Sequence, residues 1–266
     1  MVGNKPGSAV LYVKSPGVQA GAPFVDAVMT RLGVEMEWKR HDGDVVTAEE
    51  LEAAGGKIVA GIARGPVARI LQGERISLNV LARASGIATA SAAFADLVEA
   101  NGWGGTVAGT RKTTPGFRDV EKYAMLVGGV DSHRTNLSSM VMLKDNHIWA
   151  TGSISAAVAT ARKAAGFSTK IEVETSTYED AAEAITAGAD VIMLDNFAPD
   201  DLKDVAARLK TDFADSPHKF LLEASGGIRL STIEAFFCPD IDIISTSSLH
   251  QGVGVVDFSL KIDPSQ

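Results

Sequence analysis

From about residue 80 onward the chain alternates two textures, short apolar β-prone runs and longer stretches with helical spacing of apolar positions. The runs cover residues 106–109, 139–143, 169–173, 189–194, 219–222 and 241–244. Helical candidates cover 117–127, 154–165, 178–187, 200–209 and 230–237. The runs are mostly apolar rather than alternating, with Val191-Ile192-Met193-Leu194 the clearest. A strand of that kind is covered on both faces, as in a parallel sheet wrapped by helices. Thr177-Tyr178-Glu179-Asp180 predicts a helix start, with Thr177 or Ser176 as cap, and Gly188 marks its end. Repeated βα units predict a parallel sheet. The six runs fall short of the eight strands of a full barrel. The predicted fold class is therefore α/β, an irregular, incompletely closed α/β barrel. An open doubly wound sheet competes, but the Gly-rich dinucleotide fingerprint is absent.

The first 73 residues read differently. Residues 9–13 and 35–39 are strand-like around a helix at 24–32, residues 40–44 form a turn, and 57–62 is another β-like run. Residues 74–98 carry a long helical pattern, broken or bent near Gly86. The tail at 255–262 alternates apolar and polar, as a strand does. The expected organisation is an α+β domain at 1–73, a barrel domain at 74–249, and a C-terminal strand within 250–266 that returns to the first domain.

Composition narrows the setting. With 266 residues the chain can bury a sizeable core, and 45% hydrophobic with 22% charged residues is ordinary for a globular protein. Cys238, the single cysteine, cannot form an internal disulfide, so a reducing compartment is expected. Residues 1–9 lack the pattern of a secretory leader, and charges break every apolar stretch before membrane-spanning length. The cytoplasm is expected, with the nucleus as a second compartment, and no membrane partner. The net charge of -8 comes without a basic stripe, which argues against nucleic acid. The 25 lysines and arginines must then be gathered for some other purpose.

They gather at the ends of the apolar runs. The first run leads into Thr110-Arg111-Lys112 and the second into Lys144-Asp145-Asn146, with His133 and Arg134 just before it. The next two lead into Glu174 and Asp195, and the last two into Glu223-Ala224-Ser225-Gly226-Gly227 and Ser245-Thr246-Ser247-Ser248. In an α/β barrel these ends share one side, which carries the active site. Cations suit carboxylates and pyrophosphate. The acids suit a divalent metal or sugar hydroxyls. Glycine and hydroxyl turns present backbone N–H groups to phosphate. Each member has a plainer reading. Gly226-Gly227 alone is more often a turn, Glu174 or Asp195 could cap a helix, and Arg111-Lys112 could be a solvated pair. His133 and His147 lack zinc-ligand spacing, and His41 and His218 read as surface. Cys238 reads as a small hydrophobe and Glu223 as a packing residue paired within the barrel. The functional reading rests on the members occurring together.

On these residues the chain resembles the quinolinate phosphoribosyltransferase family, closest to its eukaryotic branch. The carrying segments are Ser15-Pro16-Gly17-Val18, Gly73-Glu74-Arg75, residues 109–127 (GTRKTTPGFRDVEKYAMLV), Ser132-His133-Arg134 and Met142-Leu143-Lys144-Asp145-Asn146-His147. Glu172-Val173-Glu174, Leu194-Asp195-Asn196-Phe197, Glu223-Ala224-Ser225-Gly226-Gly227-Ile228 and Asp257-Phe258-Ser259-Leu260-Lys261 complete the set. The resemblance implies an open α/β sandwich followed by the barrel. It implies homodimers or hexamers (trimers of dimers) with shared active sites, in which Arg75 reaches in from the neighbour. Arg111, His133, Arg134 and Lys144 would clamp the two quinolinate carboxylates, and Lys112 and Lys144 would meet the pyrophosphate of phosphoribosyl pyrophosphate. Glu174 and Asp195 would hold the ribose hydroxyls and Mg2+, and Ser225, Gly226, Gly227 and Ser247 the 5-phosphate. Lys112, Lys144, Glu174 and Asp195 are the expected catalytic group. The reaction implied is phosphoribosyl transfer to quinolinate with loss of carbon dioxide, a step of NAD biosynthesis.

The match has two departures. Family members carry a further helical segment before the first strand, where only residues 1–8 stand here, and Ser247 occupies a position often held by glycine. Three other readings compete: a related transferase with another acceptor, an inactive paralogue or truncated form, and a Schiff-base barrel enzyme using Lys144. Cations enough for two carboxylates weigh against nicotinate as acceptor. The full set of charged run ends weighs against inactivity.

Overall fold

The computed structural model describes residues 3 and 5–263, so the outermost expected domain limits, 1 and 266, lie outside the described residues. The elements in chain order are β1 (Pro6–Val13), β2 (Gly17–Val18), α1 (Ala22–Arg31), β3 (Glu35–Trp38), β4 (Val45–Val46), α2 (Ala48–Ala53), β5 (Ile58–Pro66) and α3 (Val67–Asn101). There follow β6 (Thr106–Ala108), α4 (Arg118–Val127), β7 (Val141–Leu143), α5 (Asp145–Thr151), α6 (Ile154–Ala165), β8 (Ile171–Thr175) and α7 (Tyr178–Thr186). The chain ends with β9 (Val191–Asp195), α8 (Pro199–Asp212), β10 (Leu221–Ser225), β11 (Ile243–Ser245) and β12 (Phe258–Ile262).

Two compact units emerge. The first holds Met1–Ala93, Thr113–Val130 and Leu249–Gln266; the second holds Phe94–Lys112 and Asp131–Ser248. The expected domain limit at 73/74 differs from this division and falls inside α3, which runs unbroken for 35 residues. The break expected near Gly86 is absent. That glycine serves close approach instead, because a Cβ there would stand 2.0 Å from the Gly254 carbonyl oxygen.

In the first unit the sheet order is β12-β1-β5-β3, and β1 runs antiparallel to both its neighbours. Alternation along β1 sends Ala9, Leu11 and Val13 inward, where they meet Phe258 and Leu260 of β12 and Val25, Met29, Ile70 and Leu81 in one apolar cluster. The alternating tail thus forms β12, in register with β1 from Val13↔Phe258 to Ala9↔Ile262. Helix α2 was not expected, although its start is written in Thr47-Ala48-Glu49-Glu50. Thr47 Oγ1 accepts from Glu50 N at 3.1 Å, and the Glu50 carboxylate accepts back from Thr47 N at 3.4 Å.

The second unit is the α/β barrel expected from the repeats. Its parallel sheet has the order β6-β11-β10-β9-β8-β7. Successive strands from β7 to β11 are neighbours, and β11 returns to β6. Such cyclic order distinguishes a barrel from a doubly wound sheet, whose order reverses at a switch point. Asp131 adds a single parallel bridge beside Ala108, but among the described residues no ladder joins it or β6 to β7. The barrel is open there. Helix α7 starts on the Thr177 cap, whose Oγ1 accepts from Asp180 N at 3.1 Å. The helix expected at 230–237 is only a 3₁₀ turn, Ile233–Phe236. Eight residues containing Thr232 and Ile233 and closed by Pro239 cannot sustain more. Helix α5, starting directly after Lys144, was not expected. Val173, Ile192, Leu194, Leu222 and Ile244 are buried in this unit, and so, among them, are Glu172 and Glu223. Two acids in a core of that kind need an account.

Candidate active site

All the strands of the second unit's sheet run parallel, so their C-terminal ends lie on one side. That side carries Arg111 and Lys112 after β6, His133 and Arg134 after the Asp131 bridge, Lys144 after β7, Glu174 in β8, Asp195 closing β9, Ser225 closing β10 and Ser247 after β11. Arg75 stands exposed on α3 of the first unit.

Lys144 Nζ donates to Glu174 Oε2. Burial raises the Asp195 carboxyl above the usual carboxylate range, and the charge of Glu174 raises it further, while Lys144 and Lys112 oppose the shift. These four side chains therefore share one field. Neither acid is a helix cap, since α7 is capped by Thr177 and α8 starts after Ala198. Burial lowers the Arg134 pKa, and nearby Arg111 lowers it further against the pull of Glu172 and Glu223. Two guanidinium groups close enough to repel each other form a site that an anion would relieve.

The turn after β10 is shaped by contact. Gly226 has φ 112°, and a Cβ there would stand 2.4 Å from Asn196 Oδ1, so only glycine fits. Asn196, itself at φ 63°, donates its N–H to Ser225 O at 2.9 Å and its Nδ2 to Asp195 Oδ2 at 2.5 Å. It ties the acidic end of β9 to the glycine turn. Thr246 Oγ1 donates to Ile228 O at 2.6 Å, and Ser248 Oγ donates to the same oxygen at 3.1 Å. These bonds lock the turns after β10 and β11 together around Gly227 and Ser247.

A further cluster escaped sequence reasoning. His133 Nε2 lies 3.2 Å from Glu223 Oε2 and 3.8 Å from Glu172 Oε2. Glu172 and Glu223 are wholly buried. Both oxygens of Glu172, and Oε1 of Glu223, have no hydrogen-bond partner among the described residues. Burial, then the charge of Glu223, pushes the Glu172 pKa up to about 9. Glu223 is thus paired inside the barrel, as its plainer reading has it, though with a histidine of the strand-end set. Spacing could not show this, because the two residues are 90 positions apart. The available signal was Glu172 set between Ile171 and Val173 in a β-prone run. His147 is exposed, and its Nδ1 accepts from Lys144 N at 3.0 Å.

An open α/β barrel with cations, acids and a glycine turn on its strand ends is the architecture of an enzyme acting on small anionic substrates. Comparison with known proteins makes this specific. Residues 1–85 match the quinolinate phosphoribosyl transferase N-terminal domain and residues 87–261 its C-terminal domain. The chain is 47% identical over 266 residues to the nicotinate-nucleotide pyrophosphorylase [carboxylating] of Rattus norvegicus, covering 98% of this chain and 84% of that protein. The Homo sapiens protein of the same name is 47% identical over 262 residues, with the same coverage. The crystal structure of NadC from Streptococcus pyogenes superposes with a TM-score of 0.83 at 36% identity, covering 97% of this chain and 86% of that one. The chain belongs to the quinolinate phosphoribosyl transferase family.

Proposed function

We propose that this chain transfers the phosphoribosyl group of phosphoribosyl pyrophosphate to quinolinate, giving nicotinate mononucleotide, pyrophosphate and carbon dioxide. The observation that carries this reading is the placing of the cation pair Arg111 and Arg134 with the Lys144–Glu174–Asp195 cluster at the strand ends of one parallel sheet. A dicarboxylate is the anion such a cation pair suits, and the acids suit a ribose losing pyrophosphate. Arg111, Arg134 and Lys144 hold the two carboxylates and aim the weakly nucleophilic pyridine nitrogen at the anomeric carbon. Lys112 and Lys144 meet the departing pyrophosphate. Positive charge then develops on the ribose, as in glycoside cleavage, and Glu174 and Asp195 oppose it. Ser225, Gly226, Gly227 and Ser247 hold the 5-phosphate through their turns. The carbon–nitrogen bond makes the ring a pyridinium. The ring takes up the electron pair left when the adjacent carboxylate departs as carbon dioxide, and that carbon then gains a proton.

Glu174 and Asp195 also suit Mg2+, because burial first, and then the charge of Glu174, raises Asp195, and a cation held between the two acids would offset both effects. Bound there, the metal would neutralise charge on the pyrophosphate leaving group. The same proposal includes homodimers, or hexamers built from them, with Arg75 completing the site of a neighbouring subunit, and residence in the cytoplasm, with the nucleus as a second compartment. Among the described residues no helix is long and apolar enough to cross a membrane.

Protein incubated with magnesium, phosphoribosyl pyrophosphate and quinolinate should form nicotinate mononucleotide and carbon dioxide in equal amounts. Product from nicotinate but none from quinolinate would overturn the reading. Glu174→Ala or Lys144→Ala should lower kcat by about 100-fold or more with the melting temperature little changed.

A further inference from the structure

His133 sits at φ 57°, a left-handed backbone conformation uncommon for residues other than glycine. Several bonds hold it there. Asp131 Oδ1 accepts from His133 N at 2.6 Å, and Ser132 Oγ donates to His133 O at 3.1 Å. The ring is held at both nitrogens. Nδ1 accepts the Arg134 backbone N–H at 2.8 Å, and Nε2 lies 3.2 Å from Glu223 Oε2. A neutral imidazole has one acceptor nitrogen and one donor nitrogen. With Nδ1 accepting, the ring proton belongs on Nε2, where Glu223 takes it.

The cluster also has the outline of a metal site, since ligand atoms of His133, Glu172 and Glu223 lie within 4.8 Å of one another. The hydrogen bonding argues against one. A metal on Nε2 would move the proton to Nδ1, where the Arg134 N–H already points. Two donors would then face each other.

We propose that Glu223 is a positioning residue for the carboxylate-binding end of the site. It fixes the tautomer of His133, whose Nδ1 fixes the Arg134 backbone, so that the Arg134 guanidinium is presented to the substrate. Met140 O and Met142 Sδ, each 3.3 Å from an Arg134 guanidinium nitrogen, complete its seat. This inference rests on the quinolinate reading above.

Nitrogen-15 NMR of histidine-labelled protein, assigned against His133→Gln, tests the geometry in the intact chain. Nδ1 should appear unprotonated and Nε2 protonated, and saturating quinolinate should leave both unchanged. Conversion of the ring to imidazolium on quinolinate binding, or displacement of the Nε2 proton by added Zn2+, would overturn the proposal. Kinetics test the consequence. Glu223→Leu should raise the KM for quinolinate about tenfold or more, with the KM for phosphoribosyl pyrophosphate and kcat changed by no more than about threefold. Glu223→Gln keeps an acceptor oxygen and should recover most of the lost quinolinate affinity. Equal effects on both KM values, or a Gln variant as impaired as the Leu variant, would refute it. Should the Leu variant fail to fold, the NMR result and the Gln variant decide. Wild-type protein that makes no product from quinolinate would instead sink the functional reading.

Discussion

Glu121 in the first unit and Glu172 in the second are both wholly buried, and their surroundings treat them in opposite ways. Glu121 accepts from Arg83 Nη2 at 2.9 Å, from Thr114 Oγ1 at 2.7 Å and from Thr114 N at 3.2 Å. Burial alone would push its pKa up, but the bonds from Thr114 and Arg83 outweigh burial and bring it below the usual range. Glu172 has no hydrogen-bond partner among the described residues and stands near Glu223, and its pKa goes up. A buried acid with a full set of donors is architecture. A buried acid without them is a standing cost, and such costs concentrate where a site needs them. Here the costly acid lies beside the His133–Glu223 pair and within the field of Arg134.

Three experiments would break or sharpen this contrast. Glu121→Ala should have the largest effect, about 3–5 kcal/mol of lost stability in urea unfolding at pH 7, because half-buried Arg83 loses its only carboxylate partner among the described residues and keeps just the His250 carbonyl oxygen. The sign of its pH dependence follows from the lowered pKa. The contribution is present above the unfolded carboxylate range and is lost as pH falls through the folded value, so the gap between variant and wild type should close in acid. Glu172→Gln should go the other way. The folded carboxyl keeps its proton up to about pH 9, whereas the unfolded one ionises near 4.5, so wild-type stability falls as pH rises between those values. The neutral isostere removes that slope. It should match wild type near pH 4 and exceed it at pH 7 by on the order of 2 kcal/mol. Loss of stability at pH 7 would mean that Glu172 is satisfied after all. Thr114→Val removes one donor to Glu121 and should cost least, about 1.5 kcal/mol by the same unfolding measurement.

Much of the barrel was legible because its signals are local. Val191-Ile192-Met193-Leu194 announced a strand buried on both faces, and Thr177 with Gly188 marked the limits of α7 to within a residue or two. Strand ends such as Arg111, Lys144, Glu174 and Asp195 were visible because each follows or closes an apolar run. Other features depended on partners distant in the chain. Gly86 looked like a helix breaker until Gly254 was found against it. The 3₁₀ turn at Ile233–Phe236 shows the limit of periodicity over short spans. Helix α2 was readable from its capping box and was overlooked.

The sequence by itself determined the strands and most of the helices of the barrel, the parallel character of its sheet, and the order in which cations, acids and small residues arrive at its strand ends. These follow from side-chain periodicity and turn chemistry over a few residues. Tertiary structure alone decided the cyclic closure of β11 onto β6 and the opening beside β7, because strand pairing depends on partners far apart in the chain. It also decided that Glu223 faces His133 and that Lys144 pairs with Glu174. Charge interactions act through space, and their strength is set by burial and distance that only the folded chain defines.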